Sequence, residues 1–259
     1  MPLKTSRTEW TLHGDPNADV IVAGDSHAAA LQMAQSLQSD EVEFKTARVF
    51  ALNPEDAVPL DAEYWNYVRN YARNKRVIVV WKGNQHNSAF LIRSDPPIEV
   101  LGLNGWSSKE QDGQWISRSA LKDFFTPSFE GLDSTLFDLS RFSKVAVLGT
   151  PPPKRDDFVL NAISNEGFFR NFTIETGRDP SEISVEKLSN RIALWEILQE
   201  ILADIALAAG VPFIPSPESA RDQDGALKRE YCFNDATHAN AEYGLLIRGL
   251  ISEWIRKEP

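Results

Sequence analysis

The sequence has a single cysteine, Cys232, among 259 residues, so no disulfide can form within the chain. This cysteine usage fits a reducing compartment, and the cytoplasm is the expected location. The sequence also lacks any run approaching about 18 apolar residues, and no apolar segment of the signal-peptide kind opens it. We therefore expect no membrane span and no export signal.

Positive charge is scarce relative to negative charge. Lys and Arg together number 27 against 37 for Asp and Glu, which gives a net charge of −10. Because such a chain repels phosphate backbones on average, nucleic acid is not an expected partner. The hydrophobic share of 42% and the charged share of 25% are ordinary for a globular protein and exclude disordered, fibrous and solenoid classes. With no shift in composition to mark a linker, we predict one domain over 1–259.

Five short apolar runs rich in β-branched residues predict strands that are buried on both faces of a sheet. They lie at 19–24, 43–52, 76–81, 144–149 and 211–214. Apolar residues at steps of three or four predict helices between and after these runs, at 27–37, 61–73, 185–209 and 239–257. Strands that alternate with helices predict an α/β fold with a doubly wound parallel sheet.

Two long connections interrupt this alternation, at about 85–143 and 150–183. Both follow strand ends, where open α/β sheets bind ligands, so they are candidate lids or binding loops. Trp106 and Trp115 in the first connection are candidate pocket walls, whereas Trp65 and Trp81 are expected in the core.

Ser26 follows the first apolar run at a predicted strand-to-helix turn, in the segment Gly24-Asp25-Ser26-His27. A hydroxyl at this place lies near the positive end of a helix dipole and its free N–H groups. Ser26 is therefore either a nucleophile or a helix-capping residue.

Asp235 and His238 stand three residues apart just before the last predicted helix. This spacing allows the carboxylate to hold one imidazole nitrogen while the other faces a nucleophile. A serine is weakly nucleophilic at neutral pH and needs such a base. Together with Ser26, the pair favours nucleophilic catalysis over a capping role alone.

These segments resemble the conserved blocks of the SGNH hydrolase superfamily, the GDSL-type esterases and lipases. The first block corresponds to residues 24–27, in a variant with His after the serine, and the last to residues 235–238. Lys82-Gly83-Asn84-Gln85 resembles the block that supplies an asparagine. The resemblance implies a three-layer α/β/α sandwich around a five-stranded parallel sheet.

The resemblance also implies a role for each site residue. Ser26 would be the nucleophile, His238 the general base and then acid, and Asp235 the residue that orients His238. Asn84 and the backbone N–H of Ser26 would donate to the oxyanion. As an alternative, Asn84 is a turn residue after Gly83. No cofactor and no metal are implied.

Several residues depart from the family pattern or have other possible roles. No glycine occurs between Gly24 and Gly83, although the family's second block normally supplies a glycine N–H, and Gln85 stands where many members have Asp. His27 and His86 add imidazoles near the expected site, but their spacing matches no zinc signature.

Three further side chains could carry chemistry. Cys232 is expected to be an inert buried thiol. Lys154 and Arg155 could bind an anionic substrate group, but we expect a solvated loop pair.

The sequence thus favours serine-dependent hydrolysis of an ester through an acyl-enzyme. The substrate class expected is a small molecule or a carbohydrate conjugate that carries a small O-acyl group, because the variant with His after the serine resembles SGNH domains associated with acyl transfer onto sugars. Two alternatives stay open: an O-acyltransferase with a sugar acceptor, and a non-catalytic SGNH-like binding domain.

Overall fold

The computed structural model describes residues 8–15, 17–35, 37, 44–51, 62–81, 91–93, 96–101, 114–165 and 184–257. Eight strands occur in this part of the chain. They are β1 Thr8–Gly14, β2 Val20–Gly24, β3 Phe44–Ala51, β4 Arg76–Val80, β5 Ile98–Leu101, β6 Gln114–Ser117, β7 Lys144–Leu148 and β8 Phe213–Ile214.

Six of the strands form one sheet in the order β1-β3-β2-β4-β7-β8. The five strands from β3 to β8 in this order run parallel, and each overlaps one of the apolar runs. The predicted α/β fold with a five-stranded parallel sheet is therefore confirmed. Strands β5 and β6 form a separate two-stranded parallel sheet.

Seven α-helices occur in the described residues. They are α1 Ala28–Ala34, α2 Ala62–Ala72, α3 Arg118–Phe125, α4 Leu132–Ser140, α5 Asp156–Asn165, α6 Leu188–Ala208 and α7 Ala241–Lys257. Helices α2, α3, α4 and α6 pack on one face of the main sheet, and α1 and α7 pack on the other. The four helices expected from periodicity correspond to α1, α2, α6 and α7.

Side chains alternate between the two faces along each central strand, as the period of two requires. In β2, Ile21 and Ala23 join the core beneath α2 and α6, whereas Val20 and Val22 join the core beneath α1 and α7. Because helices cover both faces, the central strands β2, β4 and β7 are mainly apolar, and this pattern is what predicts them from the sequence.

Gly24 ends β2 at a point where only glycine fits. Its φ is 153°, and a Cβ there would lie 1.8 Å from the carbonyl oxygen of Val80 in the neighbouring strand. The next peptide also bonds to this oxygen, since Asp25 N donates to Val80 O at 3.3 Å. The chain therefore leaves the carboxyl end of β2 close against β4, and Ser26 follows there.

The structure adds an edge strand that the apolar runs did not predict. Strand β1 pairs antiparallel with β3, with Thr8 opposite Ala51 and Gly14 opposite Lys45. A strand at the edge of a sheet needs no continuous apolar run, so a search for such runs misses it. The alternation of Trp10 and Leu12 with polar residues is the signal that was available.

The first long connection is more regular than an open loop. Its described parts, 91–93, 96–101 and 114–143, contain β5, β6, α3 and α4. Leu121 and Phe125 of α3 are buried in the core against α6, and Lys122 Nζ reaches Asp204 at 2.6 Å across the same helix pair. The expectation of an irregular lid is therefore wrong for this part.

The tryptophans separate largely as expected. Trp65 and Trp81 are buried and stack with ring centroids 5.8 Å apart. Trp115 remains 41% exposed, and Trp106 lies outside the described residues. In the described parts of the chain, no helix has the length and apolar character needed to span a bilayer.

Candidate active site

Ser26 lies in the turn between β2 and α1, and its side chain is half-buried. The turn is held by backbone bonds from Ala28 N to Asp25 O at 3.1 Å and from Ala29 N to Ser26 O at 3.0 Å. Within this turn, Asp25 Oδ1 accepts a hydrogen bond from the backbone N–H of His27 at 3.2 Å. His27 occupies the N-cap position of α1 without a side-chain capping bond, and Asp25 supplies the side-chain acceptor in this turn, so the turn does not favour the capping alternative for Ser26.

Tyr64 of α2 supports the same turn from inside the core. Its side chain is fully buried, and burial raises the pKa of Tyr64 well above its usual range despite a hydrogen bond from the backbone of Gly24. The phenol therefore stays neutral beside the glycine that starts the turn. The sequence did not indicate this contact. Tyr64 lies on the apolar face of a predicted helix, and that position alone accounts for its burial.

Asp235 and His238 form the pair that their spacing predicts. His238 Nδ1 lies 2.7 Å from Asp235 Oδ2, and the side chains are 27% and 19% exposed. The other oxygen, Asp235 Oδ1, accepts the backbone N–H groups of Thr237 at 2.9 Å and His238 at 2.6 Å. The carboxylate is thus held on both sides by the residues that follow it.

The surroundings of Asp235 keep it ionised. Burial by itself would raise its pKa, but the hydrogen bond and charge of His238, the ammonium of Lys154 and the backbone N–H of His238 together hold the pKa of this carboxyl well below its usual range. An ionised carboxylate only accepts hydrogen bonds, so Nδ1 of His238 carries the proton in this bond. Nε2 is then left as the basic nitrogen.

The loop that carries the pair is closed at its base and anchored in the middle. Cys232 and Ala239 form an antiparallel bridge, and Phe233 N donates to His238 O at 3.0 Å. Ala236 is buried in a small apolar cluster with Val159 of α5. These contacts hold the loop at its base and at its middle.

The segment that follows β2 lies close to the segment that precedes α7. Helices α1 and α7 share the core on one face of the sheet, and each begins just after a candidate catalytic segment. The rings of His27 and His238 contact each other with centroids 5.3 Å apart. This ring contact links the segment of Ser26 to that of His238, while the pairing of Ser26 itself with His238 as nucleophile and base stays a prediction.

Lys154 overturns the expectation of a solvated loop pair. Its side chain is fully buried, and Nζ contacts the Asp235 carboxylate at 3.2 Å. Arg155, in contrast, is 44% exposed and pairs with Asp222 at 2.7 Å and Asp224 at 2.5 Å. The two neighbours point in different directions, a difference that the local sequence does not encode.

The remaining candidates are only partly described. Asn84 and His86 lie outside the described residues, so the oxyanion role of Asn84 stays a prediction. Cys232 is half-buried, not fully buried as expected, and this burial raises the pKa of its thiol to about 11, which favours an inert cysteine. Among the described residues, no three His, Cys, Asp or Glu side chains are grouped closely enough to hold a metal ion.

No protein-family model and no curated protein matches the chain. Solved structures similar to it include a GDSL-like lipase from Bacteroides thetaiotaomicron VPI-5482, at 13% identity over 93% of this chain and 88% of that one, with a TM-score of 0.46. The periplasmic domain of the lipopolysaccharide acetyltransferase of Salmonella ser. Paratyphi A matches at 13% identity over 93% and 85%, with a TM-score of 0.46.

Phospholipase A1 from Streptomyces albidoflavus NA297 is similar at 13% identity, over 90% of this chain and 98% of that one, with a TM-score of 0.45. At these identities and TM-scores, the similarities assign neither a substrate nor a catalytic residue to this chain.

Proposed function

We propose that this protein is a serine-dependent ester hydrolase of the SGNH type. The observation that carries the proposal is the Asp235–His238 pair, with its 2.7 Å hydrogen bond and a half-buried carboxylate whose pKa is held low. A carboxylate that fixes an imidazole in one tautomer serves general-base catalysis at a hydroxyl. Ser26, in the adjoining turn and not used as a helix cap, is the hydroxyl that this base would serve.

In the proposed reaction, Ser26 Oγ attacks the carbonyl carbon of the ester while Nε2 of His238 takes its proton. The tetrahedral oxyanion is stabilised by the backbone N–H of Ser26 and the side-chain amide of Asn84. His238 then gives the proton to the leaving alcohol, which leaves an acyl group on Ser26. Water, activated by His238, attacks this acyl-enzyme and releases the acid.

For the substrate, we propose a small O-acyl group on a carbohydrate conjugate. This proposal rests on the variant first block, in which His27 follows the serine. In the structure, the His27 ring contacts the ring of the proposed base. This contact supports a place for His27 beside the space that an ester would occupy in front of His238.

A fluorophosphonate probe tests the nucleophile directly. Intact-mass analysis should show one covalent adduct on the wild-type protein and none on Ser26→Ala. Ser134→Ala is the matched control, since Ser134 is an exposed serine in the first turn of α4 and should not affect labelling. Labelling of Ser26→Ala at the wild-type level would contradict the proposal.

A panel of acetylated sugars and aryl acetates, assayed with and without free sugar acceptors, tests the reaction. Hydrolysis of acetylated sugars without an acceptor supports the esterase proposal. If release of the aryl alcohol depends on an acceptor that receives the acyl group in preference to water, the protein is an O-acyltransferase. If neither occurs and the probe does not react, a non-catalytic binding domain is the remaining interpretation.

A further inference from the structure

The buried ammonium of Lys154 lies on the side of Asp235 that faces away from His238. Nζ donates to the backbone carbonyls of Asp235 at 2.6 Å and Phe233 at 2.7 Å, and it contacts Asp235 Oδ1 at 3.2 Å. An ammonium has three N–H donors. This one is surrounded by three acceptors from residues 233–238, the loop that carries Asp235 and His238 and is called the catalytic loop below. All three lie on a segment that is about 80 residues away in sequence.

The position of Lys154 is fixed by its own backbone. Pro151, Pro152 and Pro153 precede it and are buried, and Leu227 N donates to Pro153 O at 2.8 Å. The buried guanidinium of Arg191 in α6 donates to Lys154 O at 2.7 Å. The backbone that carries Lys154 is therefore held in place by contacts outside the loop of Asp235 and His238.

Lys154 also distinguishes the two oxygens of the Asp235 carboxylate. Oδ1 receives the ammonium and the backbone N–H groups of Thr237 and His238. Oδ2 is the oxygen that accepts from the His238 ring. Because Oδ1 is held by three donors, the carboxylate cannot rotate without breaking them, and Oδ2 stays directed at the imidazole.

The geometry points to Lys154 as a positioning residue for the Asp235–His238 pair, a role that rests on the proposed function for its catalytic meaning. The ammonium of Lys154 donates to Phe233 and Asp235, so it acts on catalysis through Asp235. Its charge has a second effect, because an ammonium against a buried carboxylate offsets the cost of removing that carboxylate from water.

Lys154→Met tests this role, since Met keeps a long apolar chain and removes the ammonium. We expect kcat on the best ester to fall roughly tenfold to a hundredfold with KM nearly unchanged, because a small misplacement of a catalytic group acts on the transition state. Lys122→Met is the matched control. It removes another salt-bridged ammonium, 2.6 Å from Asp204, away from the catalytic loop, and should leave kcat unchanged.

Proton NMR separates this inference from the proposed function, because it needs no substrate. The Nδ1–H of His238 in its bond to Asp235 should give a low-field resonance that is absent from His238→Ala. In folded Lys154→Met, this resonance should move or disappear, and it should stay in place in Lys122→Met. A folded Lys154→Met protein with an unmoved resonance overturns the inference, whatever its activity.

The two readouts also separate their failures. If the resonance moves but the wild-type protein hydrolyses no ester and takes no fluorophosphonate, the positioning role holds and the proposed function fails. If esters are hydrolysed and the resonance does not respond, the proposed function holds and the positioning role of Lys154 fails.

A measurement on the wild-type protein covers the case in which Lys154→Met does not fold. With 15N-labelled lysine, one ammonium signal should be protected from exchange with solvent, as expected for a fully buried Nζ. This signal should shift in Asp235→Asn. If no lysine ammonium of the folded wild-type protein is protected, the inference is wrong.

Discussion

Gly244 of α7 lies directly against the backbone of Ala30 in α1. A Cβ on Gly244 would stand 2.1 Å from Ala30 O and 2.9 Å from the Cβ of Ala34. The two helices therefore approach each other more closely than any larger residue would allow. Each of these helices begins just after a candidate catalytic segment, so the contact joins the two helices that carry those segments.

Gly244→Ala should lower the free energy of unfolding by about 1–3 kcal/mol, because the added methyl group meets backbone that must move. Urea unfolding measures this. Gly249→Ala in the same helix is the control, since nothing lies within 4 Å of its Cβ, and there alanine should raise stability by up to about 1 kcal/mol. Equal effects at the two positions would show that the close approach to Ala30 does not matter.

Ser26→Ala and His238→Ala should each reduce kcat on the best ester by at least about a thousandfold. The double variant should be little worse than either single variant, because a nucleophile and its base act as one unit. Steady-state kinetics on proteins of equal folded fraction measures this. Losses that add in free energy would mean that the two residues act separately.

Acid should weaken the fold through Asp235. Its pKa is lowered in the folded protein, so its contribution to stability is present above the carboxyl pKa of the unfolded chain, about 3.9, and is lost as the pH falls from there toward the folded value. From about pH 5 to about pH 3, the wild-type protein should therefore lose more unfolding free energy than Asp235→Asn. Denaturant unfolding at each pH tests this, and parallel losses in both proteins would contradict it.

Asn84→Ala should reduce kcat about a hundredfold to a thousandfold, equal to ~2.7–4 kcal/mol, with a nearly normal KM. The proposed donor acts on charge that develops mainly in the transition state, so substrate binding should change little. If Asn84 is only a turn residue, the variant should instead have a lower melting temperature and near-normal activity per folded molecule. Asn84→Asp should be at least as damaging as Ala, because a carboxylate would face the oxyanion.

The sequence by itself determined the five parallel strands and four of the six helices that cover them. Strands buried on both faces must be apolar along their whole length, so a run such as 76–81 is visible without any knowledge of its neighbours. The Asp235–His238 bond was predictable for a similar reason. A separation of three residues on one loop brings the two side chains close together locally, and they form a 2.7 Å hydrogen bond.

Only the tertiary structure decided the role of Lys154 and the pairing of β1. Lys154 and Arg155 are neighbours of the same charge, yet Lys154 is buried against Asp235 and Arg155 is exposed, because they meet acceptors on two different distant segments, Lys154 inside the protein and Arg155 at the surface beside Asp222 and Asp224. In the same way, β1 is a strand because β3 offers it an edge. Both outcomes depend on contacts between segments far apart in sequence, and a local pattern carries no information about where such segments meet.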